Sequence, residues 1–156
     1  FIEYYLIFIK KKYQIANYIN KLINMKNPNN PCLFCNISKT GLAKENNLAY
    51  ASYDSYPVTN FHCLIIPKRH VKDYFDLNEN EVIACNQLIN DIKKEIELKD
   101  PKVKGFNIGC NVGKVSGQSI FHCHIHIIPR REGDVENPQG GVRSVIPLKQ
   151  HYTRKA

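Results

Sequence analysis

Two spacings of apolar residues divide this chain. Over 79–98 the spacing is helical: Val82, Cys85, Leu88, Ile89, Ile92 and Ile96 fall on one face. Asn78 stands where an N-cap is needed, with Glu81 three residues on, and Asp100-Pro101 follows the last apolar position. Elsewhere short runs predict strands near 48–53, 61–66, 105–112 and 121–128, giving an α+β domain. The last run, Phe121-His-Cys-His-Ile-His-Ile-Ile128, alternates strictly. As one strand it would turn Cys123, Ile125 and Ile127 under the helix stripe and line up His122, His124 and His126 on the opposite face.

A row of imidazoles is suited to chemistry, because imidazole serves as nucleophile, acid/base or metal ligand near neutral pH. Same-face neighbours on a strand lie roughly 7 Å apart. Two of them can converge on one ion more easily than three, so at least one histidine is expected to do something else. The preceding segment, 105–119, carries four glycines, two asparagines and two serines. Such a loop lets backbone N–H groups approach an anion closely, although a plain hairpin has the same composition. Cys32-Leu-Phe-Cys35 is either half of a zinc site or a redox pair, and no βαβ pattern surrounds it to favour the redox reading.

Taken together, Asn111-Val-Gly, Gly117-Gln118-Ser119 and His122-Cys-His124-Ile-His126-Ile-Ile-Pro129-Arg130 resemble the signature of the histidine-triad (HIT) superfamily of nucleotide hydrolases and transferases. Asp54-Ser-Tyr-Pro57 and Phe61-His-Cys-Leu-Ile-Ile-Pro67-Lys68-Arg69-His70 are similar to its upstream half. Gly133-Asp134 and Pro138-Gln-Gly140-Gly141-Val142-Arg143 resemble the diadenosine-tetraphosphate hydrolase branch. The likeness spans roughly residues 32–150.

The resemblance implies a HIT-like fold: an antiparallel five-stranded sheet packed with a long helix and a shorter one, in a homodimer. It implies cleavage at the α-phosphate of a dinucleoside polyphosphate through a nucleotidyl-histidine intermediate. The alternatives are an adenosine phosphoramidate hydrolase and a purine-nucleotide-binding module with little turnover. It makes His124 the nucleophile and His126 the contact to phosphate or leaving group. Asp54 would hold the ribose. Asn111, Gly117, Gln118 and Ser119 would surround the phosphates, and Arg143 would meet the distal ones from a mobile flap. Some members close a structural zinc with the residues corresponding to Cys32, Cys35, His70 and His122; His62 is the alternative fourth ligand. No organic cofactor is expected.

Length and 43% hydrophobic content suit a single domain, placed at 25–150, with 151–156 as a tail. The net charge is +8, of which Lys10, Lys11, Lys12, Lys21 and Lys26 against Glu3 supply +4. A moderate basic excess suits a nucleotide and does not require nucleic acid. Residues 1–24 are low in complexity, and their apolar-then-basic order reverses that of a secretory signal. They are read as a non-native or disordered extension ahead of Met25, with a short helix possible over 14–23. Six cysteines without a signal peptide point to a reducing, cytoplasmic setting, with no membrane partner.

Overall fold

The apolar stripe forms α1, Glu79–Lys99. Asn78 Oδ1 accepts from the Glu81 N–H, and the Glu81 carboxylate accepts from the Asn78 N–H, so the capping box is closed. Leu88, Ile92 and Ile96 are each 1% exposed. Burying each is worth about 1.5–3 kcal/mol, which is what holds the helix to the sheet. The structure, a computed structural model, describes residues 32–36 and 41–152.

Five strands form one antiparallel sheet: β1 (Leu42–Glu45), β2 (Ala49–Tyr53), β3 (Cys63–Pro67), β4 (Val103–Gly109) and β5 (Ile125–Arg131). Their order is β1-β2-β3-β5-β4. The strand alternation splits the core in two. Ala49, Ala51, Cys63, Ile65, Ile125 and Ile127 face α1. Tyr50, Leu64 and Ile66 face the other way and pack with Phe34. β1 was not foreseen, because Leu-Ala-Lys-Glu is too short to display a period.

Two expectations need correction. The histidine strand begins at Ile125, so His122 and His124 precede it. The β3–β5 ladder ends at Ile65–Ile125. Beyond it the Pro67 carbonyl accepts from the His122 ring, and the Cys123 N–H donates to Val71 O instead of to a strand. Second, apart from α1 the described residues hold only 3-10 turns, at Tyr74–Asp76, Lys114–Ser116 and Gly141–Val145. The possible helix over 14–23 lies outside the described residues. Among those described, no helix is long and apolar enough to cross a membrane.

Residues 133–143 are the expected mobile flap, and in the structure they continue into a tail that reaches 150. They return across the β4–β5 surface and wall a cleft of about 720 Å³. Asp134 is the hinge pin. Its carboxylate takes two bonds of 2.8 Å from Arg130, and it also accepts from the Arg131 N–H.

Candidate active site and adjoining Cys/His centre

The face of the sheet away from α1 carries the three histidines, and each meets different partners. His122 is fully buried, and its Nε2–H donates to Pro67 O at 2.9 Å. That fixes the lone pair on Nδ1, which lies 3.4 Å from Cys32 Sγ and 3.6 Å from Cys35 Sγ. Cys35 Sγ is 3.2 Å from His70 Nδ1. All four ligand atoms lie within 4.8 Å of one another. Tetrahedral zinc bonds of roughly 2.0–2.3 Å separate donors by roughly 3.3–3.8 Å, so the set fits a closed structural zinc. The outer bond from His122 to a backbone carbonyl is the usual orienting contact for such a ligand.

Residues outside the set build this centre. Tyr50 donates its hydroxyl to Phe34 O at 2.6 Å, tying the Cys-x-x-Cys turn to β2. Arg69 donates through Nε and Nη2 to the buried Glu81 carboxylate, both at 2.7 Å, fixing the residue before His70 to the start of α1. Neither role was legible in the sequence, where Arg69 stands only as the residue before His70. None of the six cysteines forms a disulfide.

His124 is 7% exposed and packs against the Phe34 ring at 5.1 Å. Its Nδ1–H donates to His122 O at 2.8 Å. The Nε2 lone pair is therefore left for attack.

His126 begins a chain that the sequence reading missed. Its Nδ1 lies 3.0 Å from His62 Nε2. The Val58 N–H donates to His62 Nδ1 at 3.3 Å, so His62 carries its proton on Nε2 and donates it to His126 Nδ1. His126 is then an Nε2–H donor toward the cleft. Burial, with the neighbouring His124 and His62, pushes its pKa down to about 4, so it is neutral at pH 7. Asp54 Oδ2 stands 3.5 Å from His62 Nδ1, and Oδ1 accepts from the Tyr56 N–H at 2.8 Å. Burial lowers the His62 pKa, and Asp54 opposes the shift. The signal for His62 was its place at the head of an apolar strand opposite the triad; it joins this chain, not the Cys/His centre.

The remaining expected site residues fall in three groups. Asn111 lines the cleft beside His126. Gly117, at φ +90°, closes the turn at Lys114–Ser116 in a conformation that disfavours a side chain, and Ser119 next to it is exposed. Gln118 is buried: its Oε1 accepts from the Gly113 N–H, and its Nε2 donates to Lys72 O and Ile120 O. Its side chain shapes the loop through these three bonds. Arg143 donates through Nε to Lys149 O and lies 5.1 Å over Tyr152. The cation that does line the cleft is Arg130.

A buried imidazole with a free Nε2, a second imidazole offering an N–H, and a glycine loop beside them can exchange groups at phosphorus. Known proteins are similar to this chain. The HIT domain matches residues 38–133. The chain is 36% identical over 109 residues to an adenylylsulfatase of Arabidopsis thaliana, a match covering 67% of this chain and 55% of that protein. It is 27% identical over 108 residues to an adenosine 5'-monophosphoramidase of Candida albicans, covering 65% and 71%. The crystal structure of a zinc-bound histidine triad family protein from Mycobacterium smegmatis superposes with a TM-score of 0.61 at 31% identity, covering 67% of this chain and 78% of that one. On the strength of this match and of the histidine array, the chain belongs to the HIT family.

Proposed function

We propose that the protein is a hydrolase that cleaves nucleotide conjugates at the α-phosphate through a nucleotidyl-His124 intermediate. The observation that carries this is the 2.8 Å bond from His124 Nδ1–H to His122 O, which leaves Nε2 unprotonated and aimed away from its own backbone. Nε2 attacks phosphorus, and the bond to the leaving group breaks. The leaving atom takes its proton from solvent as it departs, while the Nε2–H of neutral His126 hydrogen-bonds it or a phosphate oxygen beside it. Water then attacks phosphorus, the P–N bond breaks, and His124 is regenerated. The products are a nucleoside monophosphate and the protonated leaving group. Backbone N–H groups around Gly117, with the Ser119 hydroxyl and Asn111, supply preorganised donors to the phosphate oxygens. Asp54 is a ribose acceptor in this reading.

A zinc held by Cys32, Cys35, His70 and His122 completes the proposal. It would supply folding stability and no open coordination position. The domain at 25–150 acts in the cytoplasm on a purine nucleotide, as a homodimer. Polyphosphate specificity had rested on Arg143. That side chain donates through Nε to Lys149 O and lies over Tyr152, with its Nη groups left for other partners, so the choice of a dinucleoside polyphosphate rests on the family likeness.

Rapid quenching with excess adenosine phosphoramidate, followed by mass spectrometry, should find an adenylyl group on His124. His124→Ala should lose the adduct and lower turnover on the order of 10³-fold or more while still binding nucleotide. An adduct elsewhere, or turnover near the parent rate in His124→Ala, would end the proposal.

A further inference from the structure

The cleft beside His126 has a charge arrangement that the mechanism does not use. Its ionisable side chains besides Cys110 are His62, His126, Arg130 and Asp134. Arg130 is paired: Nε and Nη2 bond the Asp134 carboxylate, and Nη1 donates to Asn107 Oδ1 at 2.6 Å. Asp134 is ionised, since the Arg130 guanidinium holds its carboxyl well below the usual carboxylate range. The pair cancels, and the remaining wall is uncharged: apolar at Val58, Ile108, Ile128, Val135, Val142 and Val145, with the neutral polar residues Thr59, Asn111, Ser144 and Gln150 among them.

Resting on the hydrolase reading above, we infer that this cleft receives the leaving group and that Asp134 sets its specificity, admitting an uncharged apolar leaving group over a polyphosphate. A nucleoside polyphosphate would bring several negative charges into a cleft with no net positive charge. Such charges lose water and find no unpaired cation among the described lining residues in return. A hydrocarbon-bearing amine meets no such penalty and gains contact with the valines and isoleucines. Asp134 touches neither the reacting phosphorus nor the nucleophile. It acts by neutralising Arg130, and through the Arg131 N–H it holds the tail that forms the wall.

The test compares two probes, diadenosine tetraphosphate and the hexylamide of adenosine monophosphate, in two ways. Turnover is measured on the full chain, and binding on the His124→Ala chain, where neither probe is consumed. The parent should favour the hexylamide in binding and in kcat/KM. Asp134→Asn keeps an acceptor for the Arg131 N–H but frees a positive charge. It should move the preference toward the tetraphosphate by roughly tenfold, about one screened charge contact. Adding Arg130→Met should return it, an effect that mere loosening of the tail would not produce. A parent preference for the tetraphosphate, no binding of the hexylamide, or an unmoved ratio in a folded Asp134→Asn chain would overturn the inference. Binding with the expected preference but no turnover and no adduct would sink the hydrolase reading and leave the cleft assignment standing.

Discussion

At the scale of single residues, the three histidines differ by where each proton sits. His122 has it on Nε2 because Pro67 O accepts there; His124 has it on Nδ1 because His122 O accepts there. His126 has it on Nε2 because His62 donates to Nδ1. The motif alone marked all three positions, but tautomers depend on partners brought from distant segments, and these were illegible. His62→Phe should therefore lower kcat about 10–100-fold with little change in KM, since His126 loses the donor that fixes its proton. His62→Gln, whose amide N–H can replace Nε2–H, should recover much of the loss; equal damage by both variants would show that the ring only fills space. The lowered pKa of His126 also carries a stability prediction. Its folded value, about 4, lies below the unfolded 6.5, so the unfolded chain takes up the proton first. Stability from the neutral ring is whole above pH 6.5 and is lost as pH falls toward 4. Urea midpoints should fall more steeply over that window in the parent than in His126→Gln, and parallel curves would refute it.

At the scale of elements, α1 was legible to within a residue because its stripe, N-cap and following proline agree. What the sequence did not disclose is that Glu81 serves twice. It closes the capping box and also takes both Arg69 donors, so the start of the helix anchors the turn that carries His70. The start of β5 was misjudged for a related reason: alternation continues through residues 122–124, while hydrogen bonding passes to a side chain and a loop. Glu81→Gln should cost about 1–2 kcal/mol, the half-exposed Arg69 limiting the effect, and should weaken zinc retention measurably. Metal analysis of the purified chain should find about one zinc per chain, lost in Cys35→Ser together with thermal stability. Activity that vanishes at once on chelation and returns with added metal, while the fold is unchanged, would instead make the metal catalytic.

At the scale of the whole molecule, the sheet order leaves β4 at an edge, with backbone groups unpaired by any strand on its outer side among the described residues. Edges of this kind invite pairing with another chain unless they are blunted by charge, proline or cover. β4, Val-Lys-Gly-Phe-Asn-Ile-Gly, has one charge and no proline, and Ile108 is 47% exposed. The same strand forms the floor of the cleft through Asn107 and Ile108, so pairing along its free edge would brace the site without covering the sheet face. The homodimer proposed above would form by pairing along this edge. Periodicity could not reveal it, because an edge strand and an interior strand share the same alternation. Sedimentation equilibrium should find a two-chain species at micromolar concentration. Ile108→Pro, which removes a backbone N–H on the free edge of β4, should reduce the dimer, with the cleft's affinity for nucleotide falling alongside it. A chain that sediments as a monomer throughout that range, yet turns over nucleotide at full rate, would show that the edge is left open and that one protomer suffices.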